Sequence, residues 1–262
     1  MTTIDPTAHV ESLTDAPARS AAGSTRLSAL LGWLTTSDHK RLGRMLFGSG
    51  LAALIAIAVV GALLGIDRAD TGLLGSGTLA QLFAVHRIGL AYFAILPIVL
   101  GVAVAIVPLQ LGARSLAVPR LAAAGFWAWL IGSILVIVSL IANGGPLGGE
   151  TKMVSLFIAS YGVVLAGLFA IALALATTVL TTRAPGMNMR RIPLFSWSVL
   201  IASLGLVLVL PVALGTVVYL WVSYRYNRQP FGGNAGLLGN GPQSSANWLG
   251  FTLTQPVTFL YA

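Results

Sequence analysis

At 262 residues, 56% hydrophobic and only 8% charged, the chain lies far from soluble globular composition, in which about 25% of residues are charged. Its formal charge of +8 does not indicate a nucleic-acid partner. The Lys and Arg residues sit mostly in short stretches between apolar runs, and no basic face interleaved with aromatics is present. The absence of cysteine excludes disulfides, thiolate-held zinc, iron–sulfur clusters and c-type haem attachment.

The apolar runs are long enough to cross a bilayer, which takes roughly 20 residues each. The expected class is an all-α polytopic membrane protein with five transmembrane helices and a C-terminal partial sixth, in a plasma or inner membrane. Residues 1–26 are rich in Thr, Ala and Ser, with Pro6 and Pro17. They bury too little apolar surface to fold and are expected to form a disordered cytoplasmic tail. No apolar run follows a basic start there, so no signal peptide is read. Residues 27–44 are expected to form an interfacial segment, with a short helix over 27–34 that sets Trp33 at headgroup level. Residues 45–262 are expected to form the membrane domain.

Helix 1 is predicted over 45–66. Its Gly61-x-x-x-Gly65 pair permits close packing, although such pairs arise readily in a chain with 30 glycines. Asp67, Arg68 and Asp70 mark its exit. Helix 2 is predicted over 78–108 and helix 3 over 122–142, where Asn143-Gly144-Gly145-Pro146 breaks it. Helix 4 is predicted over 153–182, ending at Arg183-Ala184-Pro185-Gly186. Helix 5 is predicted over 194–222, with a kink at Pro211 that neighbouring helices absorb. A polar, Gly-rich loop over 224–245 precedes the sixth run, 247–262, which is short for a span.

Lys and Arg counts give the orientation. Eight fall on the side of the N-terminal flank and the 2–3 and 4–5 loops, and four on the other. The N-terminus is therefore expected in the cytoplasm, with His86 in the outer part of the bilayer.

His86 is the one histidine inside a predicted span. An ionisable residue there is costly and marks a functional site by default, and histidine is a usual haem-iron ligand. A hydrogen bond to a neighbouring helix explains it equally well, and position alone does not separate the two. Arg87 is expected to snorkel to the outer headgroups, with pairing to an anionic cofactor group as the alternative. No Asp, Glu or Lys lies within a predicted span, so no relay of buried carboxylates is expected. Thr177 and Thr178 are expected to bond back to their own helix. The glycines of 232–241 lack the strand and Gly-Lys-Ser/Thr of a phosphate loop. Trp127, Trp129, Tyr219, Trp221, Tyr224 and Tyr226 are expected to be interface anchors. His9 and His39 lie outside the predicted helices, so no Ser–His–Asp site is read.

Five stretches carry a resemblance. They are Trp33-Leu34-Thr35-Thr36-Ser37-Asp38-His39-Lys40-Arg41-Leu42-Gly43; Gln81-Leu82-Phe83 with His86; Val107-Pro108-Leu109-Gln110-Leu111-Gly112-Ala113 with Val118-Pro119-Arg120-Leu121; Thr177-Thr178; and Arg183-Ala184-Pro185-Gly186-Met187 with Pro193-Leu194-Phe195-Ser196-Trp197. In this order they resemble the N-terminal half of subunit I of the haem-copper oxidases, the cytochrome c oxidase catalytic subunit.

The resemblance implies that His86 is an axial ligand of a low-spin haem, the second ligand coming from another polypeptide. It also implies departures. The family's His-Pro-Glu-Val-Tyr motif is matched by Gln255-Pro256-Val257-Thr258-Phe259, so Gln255, Val257 and Phe259 replace its copper ligand, proton carrier and tyrosine, and no copper is expected. The uptake-channel aspartate is matched by Ser115, the channel asparagines by Val104 and Ala122, and the haem-contacting arginine by Gly65, with Arg68 nearby. The expected function is a truncated subunit-I-like component of the aerobic respiratory chain, a pseudo-enzyme for oxygen reduction and proton pumping. Its expected partners are lipid and other membrane subunits of a respiratory oxidase or supercomplex. The alternatives are a haem-free structural or assembly subunit, or a degenerating fragment.

Overall fold

The computed structural model describes residues 36, 38–71, 75–145 and 150–226. All but Thr36 belong to one packed unit, Ser37–Ala262. The expected tail over 1–26, the interfacial helix over 27–34 and the sixth run with Gln255, Val257 and Phe259 lie outside the described residues. Among the described residues every regular element is helical, and five helices are long and apolar enough to cross a membrane.

Helix 1, His39–Ile66, continues through a π-helical turn, Asp67–Thr71. It starts six residues before the expected 45. The reason is local: the Asp38 carboxylate accepts the Lys40 N–H at 3.1 Å, satisfying one of the donors a helix start leaves open. Residues 39–44 are thus helical, and His39, expected outside the helix, is its buried first residue.

Helix 2 runs as Ser76–Gly89, a π-helical turn Leu90–Ile95, and Leu96–Gln110. The turn has a cause in Pro97. Proline has no N–H, and its ring clashes with the carbonyl four residues back. The ladder widens instead, and the Leu96 N–H reaches back five residues to the Ala91 carbonyl. Helix 3, Pro119–Ile141, starts earlier than expected because Pro119 suits a first helical position. It ends at Asn143, whose φ of 58° closes the turn. Helix 4 is Thr151–Thr181 and helix 5 is Leu194–Arg225, joined through a short 3₁₀ turn, Met189–Arg191. Pro211 sits inside helix 5 without ending it.

Helix 1 packs on helix 2, helix 3 on helix 4, and helix 4 on helix 5. Helix 4 is the most enclosed span and helix 1 the least. Lipid is as apolar as a leucine side chain, so helices associate in a membrane through close van der Waals packing, for which small residues are needed. Here the small residues are glycines at two antiparallel crossings. A Cβ at Gly101 would lie 2.6 Å from the Phe47 nitrogen and 2.9 Å from the Gly43 carbonyl, and one at Gly50 would lie 3.0 Å from Ile98. At the other crossing, a Cβ at Gly167 would lie 2.5 Å from the Trp129 nitrogen and 2.6 Å from the Gly125 carbonyl.

Gly167→Ala is therefore expected to destabilise the protein by about 1–3 kcal/mol, the usual cost of overpacking, because backbone rather than a side chain is in the way. Gly205→Ala, where nothing lies within 4 Å, is expected to be neutral or slightly stabilising. Thermal unfolding in detergent compares the two, and equal shifts would contradict the crossing.

Candidate functional site

His86 lies ten residues into helix 2, about 15 Å from its start at 1.5 Å per residue. It is half-buried, on the face of helix 2 that meets helix 1. The contact is with Gly61. A Cβ built there would stand 2.9 Å from His86 Nε2, and one at Gly89 would stand 3.0 Å from Ile57 Cδ1. Counting up helix 1 and down helix 2, Gly43–Gly101, Gly50–Ile98, Ile57–Gly89 and Gly61–His86 form one antiparallel register. The Gly61-x-x-x-Gly65 pair does not act as a pair. Gly61 takes the imidazole, whereas a Cβ at Gly65 would meet nothing within 4 Å. Arg87, the next residue, is exposed.

For a haem, the donor set offers one axial half. An imidazole is a usual iron ligand, and it is half-buried between two apolar spans. Its pose is the other half of the test, since Nε2 faces helix 1 at Gly61. Among the described residues no three His, Cys, Asp or Glu side chains converge.

One turn beyond His86, four consecutive residues, Ala91 to Ala94, are buried. The π-helical turn makes this workable by shifting the phase of helix 2 between its helix 1 face and the core. It also disturbs the backbone ladder. The indole N–H of Trp129 donates to the Tyr92 carbonyl at 3.1 Å, tying helix 3 to the turn. The Tyr92 and Tyr161 rings meet edge to face with centroids 5.7 Å apart, and Phe157 stacks on Tyr161 at 6.4 Å. Trp129, expected as an interface anchor, is a core residue with 2% exposure. Tyr219 and Tyr226 are exposed. The sequence signal for this cluster was Pro97, which lies inside an otherwise continuous apolar run.

Several serine and threonine hydroxyls within the spans are satisfied locally. Ser49, Ser133, Ser139 and Ser160 each donate to a carbonyl of their own helix. Thr177 and Thr178 do the same, as expected. Thr178 also reaches outside its helix, where its Oγ1 accepts the Ala117 N–H at 3.0 Å. The Ala184 N–H donates to the Leu111 carbonyl at 2.9 Å, and Ser196 Oγ donates to Gln110 Oε1 at 2.7 Å. The 2–3 and 4–5 connections, which carry most of the resemblance, therefore lock onto each other at one end of the bundle. Gln81 donates to Asn143 Oδ1 at 2.7 Å and links the start of helix 2 to the end of helix 3.

The positions matched to the family's uptake-channel residues differ in exposure. Val104 and Ala122 are fully buried, while Ser115 is exposed and donates to the Leu116 carbonyl at 3.1 Å. Gly65 and Arg68 are exposed.

The family described as Cytochrome C and Quinol oxidase polypeptide I matches residues 41–249. The chain is 32% identical over 213 residues to cytochrome c oxidase subunit 1 of Corynebacterium diphtheriae, covering 74% of this chain and 38% of that protein. It is 32% identical over 200 residues to the Corynebacterium glutamicum cytochrome c oxidase subunit 1, covering 70% and 34%. Against quinol oxidase subunit 1 of Bacillus subtilis it is 30% identical over 200 residues, covering 69% and 30%. The chain spans 30% to 40% of the length of the curated relatives it matches.

Trp129→Phe keeps the ring but removes the donor to the Tyr92 carbonyl. It is expected to cost about 0.5–1.5 kcal/mol, the net worth of one hydrogen bond. Chemical or thermal unfolding in detergent measures the loss, and an unchanged stability would show that the π-helical turn does not depend on Trp129.

Proposed function

The chain belongs to the cytochrome c and quinol oxidase polypeptide I family, and on that premise we propose that it is a membrane component of the aerobic respiratory chain in which His86 is one axial ligand of a low-spin haem. The second axial ligand comes from polypeptide outside residues 1–262. The observation that carries this reading is the position of His86: among the described residues it is the one histidine away from a helix end, and it lies half-buried between two spans. A bound haem would supply one-electron redox chemistry there. The chain's own part is to present the imidazole, to hold helices 1 and 2 in register around it, and to keep water from it with apolar side chains.

The same reading places oxygen chemistry elsewhere. At the positions of the family's active-site motif the chain has Gln255, Val257 and Phe259. An amide is a poorer copper ligand than an imidazole, valine cannot carry a proton, and phenylalanine has no hydroxyl. The runner-up is a haem-free structural or assembly subunit. It is favoured by the loop interlock and by a His86 nitrogen turned onto helix 1, both of which serve packing alone.

The protein isolated with its native partners in mild detergent is expected to show a Soret band, and His86→Ala is expected to remove the share due to this site. A colourless complex, or a band untouched by the substitution, would decide for the structural reading.

We also propose a cytoplasmic N-terminus, supported by the Lys and Arg asymmetry. With no native cysteine, single-cysteine variants report the side directly. In intact cells with the protein in a bacterial inner membrane, Glu150→Cys should react with an impermeant maleimide, and Ser115→Cys only after permeabilisation. The opposite pattern would invert the topology.

A further inference from the structure

The nitrogen that His86 would offer to iron faces helix 1 at Gly61. The three atoms nearest a Cβ built on Gly61 all belong to the His86 ring: Nε2 at 2.9 Å, Cδ2 at 3.3 Å and Cε1 at 4.0 Å. Nε2 leads, with Cδ2 closer behind it than Cε1, so the imidazole meets helix 1 by its Nε2 corner, tilted toward Cδ2. The fit depends on glycine, because real Cβ contacts essentially never fall below 3.0 Å. Helix 1 cannot back away at this point alone. The Gly43–Gly101 crossing and the Ile57–Gly89 contact set its distance from helix 2 along the same register.

A metal–nitrogen bond is much shorter than a van der Waals contact. Iron and the Gly61 methylene therefore cannot both face Nε2. From this geometry we infer that Gly61 is a positioning residue, a seat that holds His86 Nε2 against helix 1, and that haem ligation requires the imidazole to swing off it. The inference rests on the reading of His86 as a haem ligand. Its consequence is a gate: the affinity for haem is reduced by the fraction of molecules in which the ring is seated. A side chain at position 61 removes the seat and meets nothing but the imidazole within 4 Å. Gly65, one turn on and open, is the matched control.

The test uses the haem-free full chain in detergent, at one pH. In Gly61→Ala, carbethoxylation of His86 by diethylpyrocarbonate, followed by peptide mass spectrometry, should be several-fold faster than in the unsubstituted chain, and in Gly65→Ala it should be unchanged. Titration with ferric protoporphyrin IX should reach half-saturation of the Soret band at several-fold lower haem in Gly61→Ala, at an unchanged wavelength because the ligand is the same. In the unsubstituted chain the rate of haem uptake should level off at high haem, since release of the ring precedes ligation. That last measurement needs no variant and holds even if Gly61→Ala fails to fold. Equal carbethoxylation and equal haem titration in all three chains, or an uptake rate rising linearly without limit, would overturn the seat while leaving the haem reading intact. Failure of every form to take up haem would remove the haem reading and the competition with it, even with faster carbethoxylation in Gly61→Ala.

Discussion

Close approach of two helix backbones at glycine is the constraint on which the rest of this structure depends. In water an amphipathic helix is driven onto its neighbour by burial of its apolar face; in lipid that drive is absent, and contact distance decides association. At Gly43–Gly101 and at Gly125–Gly167 the carbonyl of one helix lies where the other would carry a Cβ. Each crossing pins one pair of spans. The first fixes the register of helices 1 and 2, and that register delivers His86 to Gly61. The second brings helices 3 and 4 together so that Trp129 on one and Tyr161 on the other meet Tyr92 of helix 2.

Pro97 adds the second element of control. It forces helix 2 to widen into a π-helical turn, which changes the face that the helix presents on either side of residues 90–95. Below the turn, helix 2 shows Gly101 to helix 1; above it, His86. Within it, Tyr92 enters the aromatic core, and its carbonyl takes the indole N–H of Trp129. The position of His86 thus depends on glycines, a proline and a tryptophan on three helices. At the opposite end the loop interlock through Thr178, Leu111 and Gln110 holds helices 2, 4 and 5.

The sequence reveals the spans far better than their partners. Each apolar run within the described residues is a helix because composition over about 20 residues is enough to specify a span. The starts are less legible. Asp38 and Pro119 are start signals, but apolar content rises only several residues after each of them. His86 stands out because an imidazole in an apolar run is rare. Gly61 does not, because its meaning comes from the antiparallel register of two helices, and no local pattern encodes that register. Trp129 is hidden for the same reason: a tryptophan near a helix start has the pattern of an interface anchor, and only the packing of helix 2 against helix 3 makes it a buried donor. The loop motifs that carry the family resemblance turn out to be packing devices. Their presence speaks to the fold, while the proposed chemistry rests on residue 86 and on the replacements at 255, 257 and 259.

Under the proposed function, the His86 imidazole occupies one axial position of a low-spin haem. Electron–nuclear double resonance on the ferric haem of the native complex addresses it directly when only this chain carries 15N-histidine. A single 15N-coupled axial nitrogen that disappears in His86→Ala is expected. Axial couplings to 14N alone would place both ligands on other polypeptide and contradict it.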